Sequence, residues 1–113
     1  MKLWEKQALF VQNACKLLQF MAAKGLFPTF GEALRTPEQA KIYAEQGKGI
    51  VESLHIKKLA LDVNLLDKDG KYLTQAKSYE EFGEFWEGLH KNNRWGGRFS
   101  RLVDCTHFEM QEL

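Results

Sequence analysis

Cysteine, proline and net charge are all scarce in this sequence, and each scarcity removes a class of protein. Only two of the 113 residues are cysteine. Cys15 and Cys105 lie far apart and form no CxxC or other metal-type spacing, which argues against a disulfide scaffold and against a thiolate metal site. They read as two buried free thiols of a protein folded in a reducing cytosol. There are two prolines and no Pro-, Gly- or Ser-rich stretch, so no linker, repeat or low-complexity segment divides the chain. Lys and Arg (16) balance Asp and Glu (15) without a long run of either sign. No nucleic-acid partner and no anionic membrane surface is implied by that balance.

Long apolar runs are missing too. Met1-Lys2-Leu3-Trp4-Glu5-Lys6 resembles the basic start of a signal peptide, but Gln12, Asn13, Lys16 and Gln19 interrupt the apolar run and no small-residue cleavage site follows. The expectation is synthesis in the cytoplasm without a signal peptide, no transmembrane span and no stable membrane association. What is present suffices for one core: 44% hydrophobic and 12% aromatic residues fit a single domain over residues 1–113, expected as a monomer.

Periodicity orders this material. Trp4, Ala8, Val11, Ala14, Cys15, Leu18, Met21 and Ala22 recur at helical steps, predicting a helix from about Leu3 to Lys24 with Gly25 as its cap. Leu26 to Leu34 is apolar but contains Pro28, which suits a short edge strand ending near Arg35. Thr36-Pro37-Glu38-Gln39 has the form of a helix start, and that helix should end near Gly47. In Leu59 to Leu65 the period becomes two, with Leu59, Leu61, Val63 and Leu65 on one face and Ala60, Asp62 and Asn64 on the other. Asp67-Lys68-Asp69-Gly70 is a turn that would return Lys71-Tyr72-Leu73 as a hairpin arm; as a calcium loop it is incomplete. Ser78 to Asn92 is helical, with Ser78 and Glu81 as a capping box and Tyr79, Phe82, Phe85, Trp86 and Leu89 on one side. Asn92-Asn93 and Gly96-Gly97 break the chain around Arg94-Trp95, and a last strand puts Phe108 and Met110 inward, His107 and Glu109 outward. The class is α+β, a small, mostly antiparallel sheet with about three helices packed against it.

The chemistry sits in the second half. His55, Asp62 and His107 form a two-nitrogen, one-oxygen set of the kind that holds a catalytic zinc ion with an open fourth position. His55 and Asp62 are an odd number of residues apart, so they converge only if Ile56-Lys57-Lys58 bends. Asp104, three residues before His107, is the candidate general base. Arg35 offers a planar donor fork for a substrate carboxylate or a polarised carbonyl, and Ser53 a hydrogen bond to the peptide or to His55. Each has a plainer reading: histidines near strand ends are often surface groups, Arg35 and Gln39 belong to a solvated helix start, Trp95 packs, His90 lies on the surface, and Phe82, Phe85 and Trp86 are core.

The ordered motifs Gly31-Glu32-Ala33-Leu34-Arg35-Thr36-Pro37-Glu38-Gln39, Ser53-Leu54-His55, Leu59-Ala60-Leu61-Asp62-Val63-Asn64-Leu65, Tyr72-Leu73-Thr74, Trp95-Gly96-Gly97-Arg98-Phe99 and Asp104-Cys105-Thr106-His107-Phe108 resemble the small phage-type zinc peptidases. These stand with the D-alanyl-D-alanine carboxypeptidases, the vancomycin-resistance D,D-dipeptidases and the L-alanyl-D-glutamate endolysins on the hedgehog/D,D-peptidase fold. The resemblance implies Zn2+ on His55, Asp62 and His107, Asp104 as base, and Arg35 and Ser53 as substrate-binding residues. It further implies a peptidoglycan peptidase that cleaves an amide of the cell-wall stem peptide, of L-Ala-D-Glu or D-Ala-D-Ala type. A phage endolysin or wall-degrading virion enzyme, acting at the cell wall, is the implied setting. Lys58 departs from the glycine of many relatives, which bears on loop shape and substrate preference, and Cys105-Thr106 is a less familiar filling of the last motif. The rival readings are a non-catalytic, zinc-stabilised module that grips peptidoglycan or a virion partner, and a structural domain without metal.

Overall fold

The computed structural model describes residues 1–33, 35–47 and 54–112. Helix α1 spans Leu3–Ala23. Its first turn is closed by Glu5, whose carboxylate accepts the Lys2 N–H at 2.8 Å. It stops at Gly25, whose φ of +83° is left-handed backbone that glycine adopts at no steric cost. The buried face is Phe10, Asn13, Ala14, Leu17 and Met21. This differs from the stripe expected from sequence: Ala14 and Met21 are inside as predicted, but Trp4 (65% exposed), Val11 (57%) and Cys15 face solvent. The helix is apolar on two flanks about 100° apart, and its partner decides between them. Phe10 meets Trp86 edge-on at 5.4 Å and Phe20 stacks on Phe85 at 4.3 Å. Both cysteines are free thiols, but Cys15 is exposed and Cys105 half-buried, which corrects the expectation that both are buried.

Strand β1 (Phe27–Phe30) is an edge strand, as Pro28 predicts, and pairs antiparallel with β2 (Ala60–Leu66). Helix α2 (Pro37–Glu45) starts as read from sequence: Thr36 Oγ1 accepts the Gln39 N–H at 3.1 Å, and Pro37 fills the first helical position. After β2, Asp67 Oδ1 accepts from the Asp69 and Lys71 amides and builds the expected turn, but the returning arm is reduced to a single bridge between Leu66 and Tyr72. Helix α3 (Ala76–Leu89) begins two residues before Ser78, with Gln75 at its N-cap and no capping side chain, so the predicted capping box does not form. A short strand β3 (Asn93–Trp95), unforeseen between its two chain breaks, leads through a 3-10 turn (Gly96–Arg98) to β4 (His107–Met110).

The sheet order is β1-β2-β4-β3, antiparallel throughout. One face carries Leu61, Val63, Leu65, Phe108 and Met110, all buried with α1 and α3 in one cluster. Two of the ring polar groups that this packing buries find partners. Tyr79 donates to the Leu73 carbonyl at 2.8 Å and accepts the Leu65 N–H, and Trp86 Nε1 donates to the Glu109 carbonyl at 2.9 Å. With α1 and α3 on that face, the alternation of β2 and β4 turns Asp62, His107 and Glu109 to the opposite one.

Candidate metal centre

In the pairing of β2 with β4, Asp62 stands opposite His107, while the next pair, Leu61 and Phe108, lies in the core. Strand alternation therefore sends both Asp62 and His107 out of the same face as near neighbours. His55 comes from the turn before β2. The amides of Lys57 and Leu59 both donate to the Leu54 carbonyl, at 3.1 and 3.0 Å, which produces the bend that the sequence required at residues 56–58. Lys58 sits in that bend at φ +60°, the left-handed region, so a glycine-type conformation is held by a lysine.

The result is one oxygen between two imidazoles. His55 Nε2 lies 3.3 Å and His107 Nδ1 3.1 Å from Asp62 Oδ1, and the three donor atoms fall within 4.8 Å of one another. Tetrahedral zinc with bonds of about 2.0–2.1 Å sets neighbouring donors about 3.3 Å apart, so the donor elements suit the ion and the two spacings to Asp62 match it. The other ring nitrogens are engaged outside the group. His55 Nδ1 is 3.2 Å from the Ala33 carbonyl, which can only accept, so Nδ1 donates there and Nε2 is the nitrogen turned to Asp62. His107 Nε2 lies 2.7 Å from Glu109 Oε1, which leaves Nδ1 toward Asp62.

Charge follows this geometry. Burial alone would raise the Asp62 pKa, but hydrogen bonds from His107 and His55, reinforced by their charge, bring it down to about 2. For His107 burial would lower the pKa, and the hydrogen bonds to Asp62 and Glu109 overcome it and raise it to about 9. Glu109 is lowered: burial pushes upward, but His107 and Arg94 prevail.

The other sequence candidates lie at the margin. Asp104 is exposed, and its Oδ1 accepts the Thr106 N–H at 3.1 Å and the Thr106 hydroxyl at 2.9 Å; its own carbonyl accepts the His107 N–H. Gly96 makes room for this loop, since a Cβ there would run into the Asp104 carbonyl and approach His107 Cβ to 2.9 Å. Arg35 is turned to Glu32, which accepts from its Nε, and lies over the Tyr43 ring at 5.1 Å. Its backbone N–H donates to the His55 carbonyl. Ser53 lies outside the described residues. Sequence reasoning assigned no role to Glu32, 3.9 Å from His55 Nδ1, or to Glu109 and Arg94. The alternation that placed Glu109 on the face of His107 was the available signal; Arg94 needed β3, which was not foreseen. A cavity of about 390 Å³ is lined by Arg94, Trp95, Arg98, Phe99 and Arg101, and of these Phe99 has its ring 5.8 Å from that of His107.

The profile of the family described as D-alanyl-D-alanine carboxypeptidase matches residues 46–110, more than half the chain. No curated protein matches it. Among solved structures, Serratia marcescens L-Ala D-Glu endopeptidase ChiX is similar with a TM-score of 0.63 at 20% identity, over 74% of this chain and 66% of that one. The chain thus spans just under two thirds of the length of that endopeptidase, and at this identity the likeness is one of fold.

Proposed function

Because the chain belongs to the D-alanyl-D-alanine carboxypeptidase family, we propose that it is a zinc-dependent peptidase that cleaves an amide bond in the stem peptide of peptidoglycan. The observation that carries this reading is Asp62 Oδ1 standing 3.3 and 3.1 Å from one nitrogen of each of two histidines. His55, Asp62 and His107 would hold the ion. When bound there, Zn2+ would supply Lewis-acid polarisation of the scissile carbonyl and acidify water, to a pKa of about 7 in zinc hydrolases.

The polypeptide does the rest. Asp104 accepts the proton of the attacking water as the new C–O bond forms and delivers it to the amine nitrogen as the C–N bond breaks. Thr106 fixes that carboxylate's orientation through its two hydrogen bonds to Oδ1. Arg35 anchors the peptide with the guanidinium nitrogens that Glu32 does not engage, Glu32 holding its Nε, and Ser53 contributes a hydrogen bond to the substrate. The chain acts at the cell wall, in the setting of a phage endolysin or a wall-degrading virion enzyme, on a bond of L-Ala-D-Glu or D-Ala-D-Ala type. The structural similarity to an L-Ala D-Glu endopeptidase supports the first, the family description the second.

Muropeptides released from purified sacculi, identified by mass spectrometry, test the reading and name the bond. Wild type should release cleaved stem peptides, EDTA should abolish release, and Asp104→Ala should lower the rate on the order of 10²–10⁴-fold, the usual worth of a positioned base. Release unaffected by EDTA overturns the metal reading; undiminished release by Asp104→Ala overturns the base.

A further inference from the structure

We infer that Glu109, clamped by Arg94, is a positioning residue that fixes which nitrogen of His107 faces the metal. This inference rests on the metal reading above. Glu109 is only 5% exposed, although a carboxylate is among the side chains most rarely buried without partners. Both of its oxygens are committed. Oε2 accepts from Arg94, from Nε at 3.0 Å and also from Nη2, and Oε1 stands 2.7 Å from His107 Nε2. The Arg94 fork thus fills one oxygen and orients the carboxylate so that the other meets the ring.

The strands make this arrangement rigid. Arg94 lies opposite Glu109 in the pairing of β3 with β4, and His107 is two residues from Glu109 on the same strand, so all three leave one face of the sheet. On the opposite face, Trp86 Nε1 donates to the Glu109 carbonyl from the core, which holds the backbone of that residue. With Nε2–H engaged by Glu109, the ring turns Nδ1 to Asp62, 3.1 Å away. His55 reaches the same oxygen through Nε2, its Nδ1 proton held by the Ala33 carbonyl. The two imidazoles thus present opposite nitrogens to one centre, and each has a different outer acceptor: a neutral carbonyl for His55, a buried carboxylate for His107. A carboxylate in that position raises the basicity of the ligand and holds its tautomer, and loss of such a partner typically costs about 10–100-fold in metal affinity.

A merely structural Glu109 would serve to neutralise Arg94, and the two accounts part in metal binding. Zn2+ affinity, measured by competition with a chelating dye, and the visible spectrum of the Co2+-substituted protein are compared for wild type, His55→Ala, Glu109→Gln and Arg94→Met, with circular dichroism as the check on folding. The inference expects stoichiometric binding by wild type, none by His55→Ala, and affinity about 10–100-fold lower with an altered Co2+ band for Glu109→Gln. Arg94→Met, which keeps Glu109 but frees it, should show a smaller loss in the same direction and keeps the test informative if Glu109→Gln does not fold. Wild-type affinity and spectrum in a folded Glu109→Gln, or in Arg94→Met where Glu109→Gln is unfolded, overturn the inference alone. Absence of metal binding by wild type overturns the metal reading, and the inference with it.

Discussion

Asp62 and His107 carry pKa values displaced in opposite directions by the same contact, and that contact ties the stability of the chelator-stripped protein to pH. His107, raised to about 9 from 6.5, contributes stability that is complete below 6.5 and disappears as pH rises through 9. Asp62, lowered to about 2 from 3.8, contributes stability that is complete above 3.8 and disappears as pH falls through 2. Thermal melts in EDTA should therefore peak between about pH 4 and 6.5 and decline on both sides. Equal melting temperatures at pH 5 and pH 10 would contradict the pairing of these two side chains. Metal competes for the same nitrogen, so the proposed site should bind more tightly as pH rises through this range and release protons on binding.

Among the elements, the turn between Leu54 and Leu59 holds one of the two non-glycine residues with left-handed backbone among the described residues, the other being Leu102. Lys58 at φ +60° forgoes about 1–2 kcal/mol relative to ordinary helical geometry, whereas glycine there loses only its extra chain entropy of about 0.5–1 kcal/mol. Lys58→Gly should stabilise the protein by about 0.5–1 kcal/mol in urea unfolding while leaving metal affinity within a factor of a few. A destabilised Lys58→Gly would mean that the lysine side chain contributes more than its backbone conformation costs. The bend itself was legible in the sequence, because His55 and Asp62 cannot meet without it, and so was the alternation of β2 and β4, which needs only a period of two. The buried face of α1 was not. Val11 and Phe10 are equally apolar, and only the aromatic rings of α3, distant in sequence, choose Phe10. The start of α3 was not legible either: Ser78 has the composition of a cap, yet the helix begins at Ala76 with Gln75 at its N-cap. β3 is only three residues long and exists through its pairing with β4, which no local pattern announces. The three proposed metal ligands were readable as residues, whereas the partners that orient them, Ala33, Glu109 and Arg94, depend on tertiary register.

At the scale of the whole molecule, the proposed ligands come from the turn before β2, from β2 and from β4, so an ion at that centre would tie together segments that the unfolded chain holds far apart. Ion that binds the folded state alone adds about 2.7 kcal/mol at a hundredfold excess over Kd. For a chain of this size that corresponds to a rise in Tm on the order of 10–20 °C. Calorimetry with and without Zn2+ should show that rise for wild type and none for His55→Ala; an identical response from both would place the ion elsewhere. No helix among the described residues is long and apolar enough to cross a membrane.

The facing of Asp62 and His107 across two strands has a further effect during folding. Should β4 slide by a single residue along β2, its alternation would swing His107 and Glu109 inward and expel Phe108 and Met110 into water. A misthreaded chain of that kind would present no second imidazole to the centre. The ion would then act as an inspector of the fold, and the share of a refolded batch that refuses it would count the misassembled molecules before any substrate is added.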